Sequence, residues 1–328
     1  MNERRFDIGS PDLGPWRSGN TGVEGVWRFE ANTAGREVLV SALVHGNELC
    51  GAWALCRALH SGLRPRRGAL SLMFANLDAF DRFDADHPDQ ARHVDHDMNR
   101  LWGEMAWRHD ASARGSEHQR VLALAPFVER SEWLLDLHSM HEAGEPLGLA
   151  GPLPHQAQQA LALGAPVHVV SDAGHRAGRR MRDHGAYGDA GQTGHFALLV
   201  ECGFHGAHSS VAVAHDMLAR FLTASGAIDA GDLGADWPVV AWPGPPRRLT
   251  VTEAVTVAEG PPPQLSRAWR SGEIVPRAGT LVGWTGGRAI VTPYDDCVLV
   301  MPTLVHAMPG ATLVRFARAQ VPVPTPWR

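Results

Sequence analysis

The feature that most constrains this chain is a short apolar run, Glu37 to Val44 (EVLVSALV), which turns through HGNE directly into the helical pattern LCGAWALCRALH. A bounded apolar run of this length reads as a buried strand, and apolar residues at helical spacing after it read as an amphipathic helix. The unit recurs. ALSLMFAN (69–76) is a second strand, a helix is expected from Glu117 to Arg130, and EWLLDLHS is a strand ending at Asp136 to His138. APVHVV and HFALLVE add two more strands, with a helix after His208. Strands alternating with helices predict an α/β fold whose largely parallel sheet is covered on both faces, and ligands of such sheets gather beyond the carboxyl ends of the strands. His45, His138 and Glu201 each stand at such an end and are expected on one face.

Two stretches break the alternation. A polar, Asp-rich and His-rich segment runs from Asn76 to Arg100, and a loop that long inside a compact domain is usually functional. After about Asp229 comes a Pro-rich passage, PVVAWPGPPRR, and then short β-like runs: LTVTEAVTV, TLVGW, RAIVTP, CVLVMP and ATLVRF. The expected organisation is a large α/β domain over 1–228, a linker over 229–247 and a smaller β-rich domain over 248–328.

Composition removes several kinds of chemistry. The chain contains no lysine, so all 30 basic side chains are arginine. Schiff-base catalysis, a phosphate loop ending in GK[ST] and Ser-x-x-Lys acylation each need a lysine. There is no GxSxG nucleophile elbow either. A net charge of -5 with mixed signs offers no basic stripe, so nucleic acid is not an expected partner. Cys50, Cys56, Cys202 and Cys297 show no CxxC spacing, which fits a reducing compartment. The N-terminal MNERRFDIGS leads into no apolar stretch, and no segment approaches a membrane span. A cytoplasmic location without membrane contact is expected.

The sharpest local pattern is His45-Gly46-Asn47-Glu48, because a histidine and a carboxylate three residues apart at a strand-to-helix turn can reach one ion. Among 18 histidines such a pair also recurs by chance. A third ligand is needed, and His138 is the best candidate: it ends another strand, and Asp136 two residues earlier can take its far ring nitrogen. Two nitrogens, one carboxylate and an open position are the donor set of a catalytic zinc, one per subunit. In the loop, Arg92 and Arg100 bracket an acidic segment. Arg92 is expected to polarise a carbonyl, and Asn99 with Arg100 to grip a carboxylate; a solvated loop of Asp–Arg pairs is the alternative. Glu201, a charge ending the apolar strand HFALLV, is expected to be a general base, with a buried ion pair or a place beside a helix start as the alternatives. Cys202 reads as a small buried residue, and His60, His109, His118 and His215 receive no role.

Taken in order, VHGNELCG, RHVDHDMNR, LLDLHSM and LLVECG resemble the aspartoacylase and succinylglutamate desuccinylase family, relatives of the zinc carboxypeptidases, over about Glu37 to Gly203. The resemblance implies a carboxypeptidase-like α/β catalytic domain with zinc on His45, Glu48 and His138. It also implies carbonyl polarisation by Arg92, carboxylate binding by Asn99 and Arg100, and acid/base work by Glu201. In aspartoacylases a tyrosine and an arginine precede the catalytic glutamate and bind an acidic side chain. Here Tyr187 stands at the tyrosine position, but Gly191 is where the arginine is expected, and Arg179, Arg180 and Arg182 lie nearby. Tyr294 is the other tyrosine, placed by this reading at the pocket rim.

The expected activity is zinc-dependent hydrolysis of the amide of an N-acyl amino acid or similar small carboxylate. A carboxypeptidase acting on peptides and an inactive ligand-binding relative are the alternatives, and assembly into a homo-oligomer stays open.

Overall fold

In a computed structural model, residues 6–103, 106–109, 115–174, 178–305 and 307–320 are described. The first five residues of the N-terminal passage, the side chain of His109 and the last eight residues of the β-rich tail lie outside that set.

The elements follow the expected alternation. In chain order they are β1 (Val26–Glu30), β2 (Glu37–Ala42), α1 (Leu49–His60), β3 (Ala69–Phe74), α2 (Leu77–Phe80), α3 (Ser116–Arg130), β4 (Trp133–Met140) and β5 (Leu147–Leu149). Then come α4 (Pro154–Ala162), β6 (His168–Ser171), β7 (Phe196–Phe204), α5 (His208–Ser225) and β8 (Arg247–Thr256). The tail adds β9 (Gln264–Leu265), β10 (Ile274–Val275), β11 (Leu281–Thr285), β12 (Arg288–Val291), β13 (Cys297–Val300) and β14 (Thr312–Gln320).

An 11-stranded mixed sheet runs β1-β3-β2-β4-β7-β5-β6-β8-β14-β13-β10, and β12-β11-β9 form a separate 3-stranded sheet. Strands β3, β2, β4 and β7 are parallel neighbours, which aims the carboxyl ends of β2, β4 and β7 the same way. Their side chains are buried on both faces. Val38, Val40, Leu135, Leu137, Leu198 and Val200 pack into one core with α1, α4 and α5. The alternate residues Leu39, Leu134 and Ala197 face the other way, onto Val121, Leu124 and Val128 of α3. Two-sided burial explains why these strands read as continuous apolar runs rather than as polar–apolar alternation.

Only part of the tail, β9, β11 and β12, makes a sheet of its own; the rest extends the large one. β8 pairs in parallel with β6, and β14, β13 and β10 continue from it antiparallel. The Pro-rich passage is tied down as well. The indole of Trp237 donates to the His215 carbonyl at 3.0 Å, and that of Trp242 to Asp216 at 2.7 Å, both on α5. The proposed division at 228 and 248 therefore brackets a segment packed on the α/β core. Among the described residues, no helix is long and apolar enough to cross a membrane.

Candidate active site

Strand β2 ends at Ala42, two residues earlier than the apolar run, because the backbone turns at Leu43. Leu43 has a left-handed φ of 60°, uncommon for a non-glycine residue, and it swings the chain out of the sheet toward His45. Gly46 follows where a β-carbon would collide with the backbone of Ala79, Phe80 and Ala91. Glu48 then caps α1, so its carboxylate comes off the helix start facing the ends of β2 and β4. Across the parallel ladder, His138 of β4 is in register with Glu201 of β7.

These turns bring three groups together. Nδ1 of His45 lies 2.7 Å from Oε1 of Glu48, and Nδ1 of His138 lies 2.7 Å from its Oε2. The three ligand atoms are all within 4.8 Å of one another, and all three residues are buried. Each ring is held from behind: Nε2 of His45 meets Asp97 at 3.0 Å, and Nε2 of His138 meets Asp136 at 2.9 Å. A carboxylate on the far nitrogen sets the ring's orientation and makes the near nitrogen a better donor. The donor set fits a divalent cation of the zinc type, with both Nδ1 atoms and the Glu48 carboxylate as ligands. Burial opposes ionisation of Glu48, but the two histidines hold its carboxyl well below the usual range. Burial likewise opposes charging His138, and Asp136 with Glu48 raises it well above an ordinary imidazole.

Glu201 is buried beside this cluster, and its Oε2 has no hydrogen-bond partner among the described residues. Burial, reinforced by the negative charge of Glu48, pushes its carboxyl up to about 8 against the pull of His138, Arg92 and Arg180. Cys202 beside it is buried, and burial raises its thiol well above the ordinary value, as suits a packing residue.

The loop after α2 comes back over the cluster because Glu117 of α3 anchors it. The Glu117 carboxylate accepts from three successive backbone N–H groups, Val94 at 2.5 Å, Asp95 at 2.9 Å and His96 at 3.0 Å, and from the Asn76 amide at 3.1 Å. Asp97 then sits between His45 and two arginines, 3.1 Å from Arg92 and 3.7 Å from Arg100. Arg92 also reaches within 3.6 Å of Glu48 and donates to Nε2 of His141 at 3.4 Å. Asn99 is buried, its side-chain oxygen accepting from the Met181 N–H at 3.3 Å. Arg100 is half-buried and donates to the Asn99 carbonyl at 2.8 Å. Arg92 and Arg100 thus belong to the ion-pair network around the His–Glu–His cluster, with Asn99 between them in the chain.

Tyr187 is not brought to this cluster. Its hydroxyl donates to the Ser131 carbonyl at 2.6 Å, just before β4 begins and so at the other end of that strand from His138. Its ring packs in the core with Val121 and Val128, and the residue also borders a cleft of about 380 Å³ lined by Arg179, Arg182, Asp183 and Gly188. Gly191 is exposed on a turn bonded to Asp189. Of the nearby arginines, Arg179 is exposed, whereas Arg180 pairs with Asp172 and Asp183, and Arg182 with Asp183. Tyr294 bonds to Thr252 in the tail. Four residues in the site's surroundings went unassigned in the sequence: Asp97, Glu117, His141 and His205. The Asp–Arg pairing expected in the loop bears on Asp97, and the spacing HSMH, which puts His141 three residues after His138, offered a signal for His141.

A mixed α/β sheet with a buried two-histidine, one-carboxylate cluster at the carboxyl ends of its parallel strands defines a carboxypeptidase-like fold with a candidate metal centre. The sequence model of the succinylglutamate desuccinylase/aspartoacylase catalytic domain matches residues 34–203, just over half of the chain, and the protein belongs to that family. Solved structures agree on the fold. A succinylglutamate desuccinylase from Vibrio parahaemolyticus is 16% identical, with 90% of this chain and 86% of that one covered at a TM-score of 0.63. A succinylglutamate desuccinylase/aspartoacylase from Rhodobacter sphaeroides is 19% identical, with 91% and 90% covered at 0.63. The product-bound ectoine utilization protein EutE (DoeB) from Ruegeria pomeroyi is 16% identical, with 89% and 87% covered at 0.55. No protein with a curated description matches the chain.

Proposed function

We propose that this protein is a zinc-dependent amidohydrolase that cleaves the amide bond of an N-acyl amino acid or similar small carboxylate. The observation that carries the reading is the convergence of both Nδ1 atoms on the Glu48 carboxylate, with the unpartnered Oε2 of Glu201 buried alongside. His45, Glu48 and His138 would hold the zinc, whose Lewis acidity would make a water a better nucleophile and the scissile carbonyl more electrophilic. Glu201 takes the proton of the attacking water and returns it to the amine nitrogen as the carbon–nitrogen bond breaks. Arg92, held by Asp97, directs its guanidinium at the oxygen that gains negative charge. Asn99 and Arg100 orient the carboxylate end of the substrate, which supplies positioning as well as affinity. In all, a water adds to the acyl carbon and the products are a carboxylate and a free amine.

A panel of N-acyl amino acids tests the reading with zinc-loaded protein, chelated protein and a His138→Ala variant. Release of free amino acid by the first alone is expected. Equal turnover in all three would end the proposal, and release of C-terminal residues from peptides instead would identify a carboxypeptidase.

A further inference from the structure

Three side chains beside the site, His141, His205 and Ser139, play no part in the mechanism above. Arg92 donates from Nη1 to Nε2 of His141 at 3.4 Å, and Nδ1 of His141 lies 3.2 Å from Nε2 of His205. Nδ1 of His205 in turn lies 2.7 Å from Oγ of Ser139, the residue after His138. Ser139 is also tied to the cluster, its backbone N–H donating to Oε2 of Glu48 at 3.2 Å. The imidazoles of His141 and His205 meet edge to face, with centroids 4.5 Å apart at 81°.

The donor inventory gives this row one direction. A guanidinium has only N–H donors, so Nε2 of His141 must present a lone pair to Arg92, and the ring's proton must sit on Nδ1. That proton points at Nε2 of His205, which must then be the acceptor, so the proton of His205 sits on its Nδ1 and is donated to Ser139. His205 is buried, and burial pushes it down to about 3, so it stays a neutral ring able to accept at one nitrogen and donate at the other. Asp89 Oδ1 lies 3.3 Å from Nδ1 of His141 and reinforces a proton at that nitrogen. Of the two neutral tautomers, one is required at each ring.

We infer that His141 is a positioning residue for Arg92: the row Ser139–His205–His141 holds one ring tautomer and so fixes the direction in which the Arg92 guanidinium points. Asp97 binds Nη2 from one side and His141 binds Nη1 from the other. An arginine held at two nitrogens cannot rotate away from the carbonyl it is to polarise. Losing one hold permits a displacement of order 1 Å, enough to cost roughly a hundredfold in rate. The inference rests on the proposed role of Arg92, but its geometric content can be tested separately.

Histidine-labelled nitrogen NMR of the zinc-loaded full chain reads the tautomer directly. The expected spectrum has His141 protonated at Nδ1 with a lone pair at Nε2, and this signal moves toward the Nε2–H form in Arg92→Ala. An Nε2–H tautomer in the wild type, or a signal indifferent to Arg92→Ala, overturns the inference.

Kinetics on the fastest N-acyl amino acid of the panel give the second readout. His141→Phe is expected to lower kcat about 10- to 100-fold with KM and zinc content little changed, while His141→Gln, which keeps an acceptor for Arg92, retains most of the rate. In an Arg92→Ala background the His141→Phe loss is expected to vanish, because the two side chains act as one unit. Equal losses in both backgrounds would overturn the inference and leave the proposed function standing. A silent Arg92→Ala would instead remove Arg92 from the proposed mechanism, and the tautomer would then decide the inference alone.

Discussion

At the residue scale, a carboxyl that stays buried beside another carboxylate is costly unless it has work to do. Replacing Glu201 by Gln keeps its shape and removes the proton acceptor. Turnover is expected to fall about 10²- to 10⁴-fold with zinc content unchanged, and loss of zinc instead would recast Glu201 as a structural support for the metal site. Asp136→Asn is expected to weaken zinc affinity by about 10- to 100-fold in a competition titration, since His138 would lose the carboxylate behind its Nε2. The His45, Glu48 and His138 cluster was legible in the sequence because each residue lies within three residues of a strand's carboxyl end or at a helix start, where backbone direction fixes where the side chain goes. Tyr187 was not legible. Its position was judged by its spacing before Glu201, but residues Met181–Asp183 and Gly185–Gly188 form short 3-10 turns that carry its ring under α3 into a core with Val121 and Val128.

At the scale of elements, the loop over the site depends on one glutamate of α3. Glu117→Ala removes the acceptor for three part-buried backbone N–H groups, which water can then reach and partly satisfy. Hydrogen exchange at 94–96 is therefore expected to accelerate strongly while β4 stays protected, and unchanged exchange would remove Glu117 as the anchor. The sequence marked this loop as polar and long, but nothing in its pattern says which acid on a later helix will hold it.

The junction of β6 and β8 carries a pH dependence of its own. His168 accepts from Arg247 at 2.8 Å, and burial together with that guanidinium lowers its imidazole to about 4. A depressed histidine favours the fold while it is neutral. Its contribution is complete above the unfolded value of 6.5 and is lost as pH falls through about 4, amounting to about 3 kcal/mol. Urea midpoints between those pH values are expected to slope downward with acid in the wild type, and less steeply in His168→Gln; parallel slopes would contradict this.

At the scale of the molecule, the tail is joined to the α/β core by a continuous sheet and by a buried charge cluster. Asp172, just after β6, pairs with Arg180 at 2.8 Å, and Arg315 of β14 comes within 3.5 Å of its other oxygen. Burial opposes ionisation of Asp172, but Arg180 and Arg315 hold it down to about 2. Arg315→Met leaves that carboxylate partly uncompensated and is expected to cost roughly 3 kcal/mol in a single cooperative unfolding transition. Two separate transitions would mean that the tail folds on its own. The β-like runs of the tail were legible as strands, but the pairing of β8 with β6 was not, because pairing partners far apart in sequence leave no local pattern. Whether His45, Glu48 and His138 share one divalent cation is read by anomalous diffraction at the zinc edge from zinc-grown crystals of the full chain. One strong peak is expected at about 2.0–2.2 Å from Nδ1 of both histidines and from the Glu48 carboxylate. Zinc-grown crystals with no peak between those three side chains would contradict it.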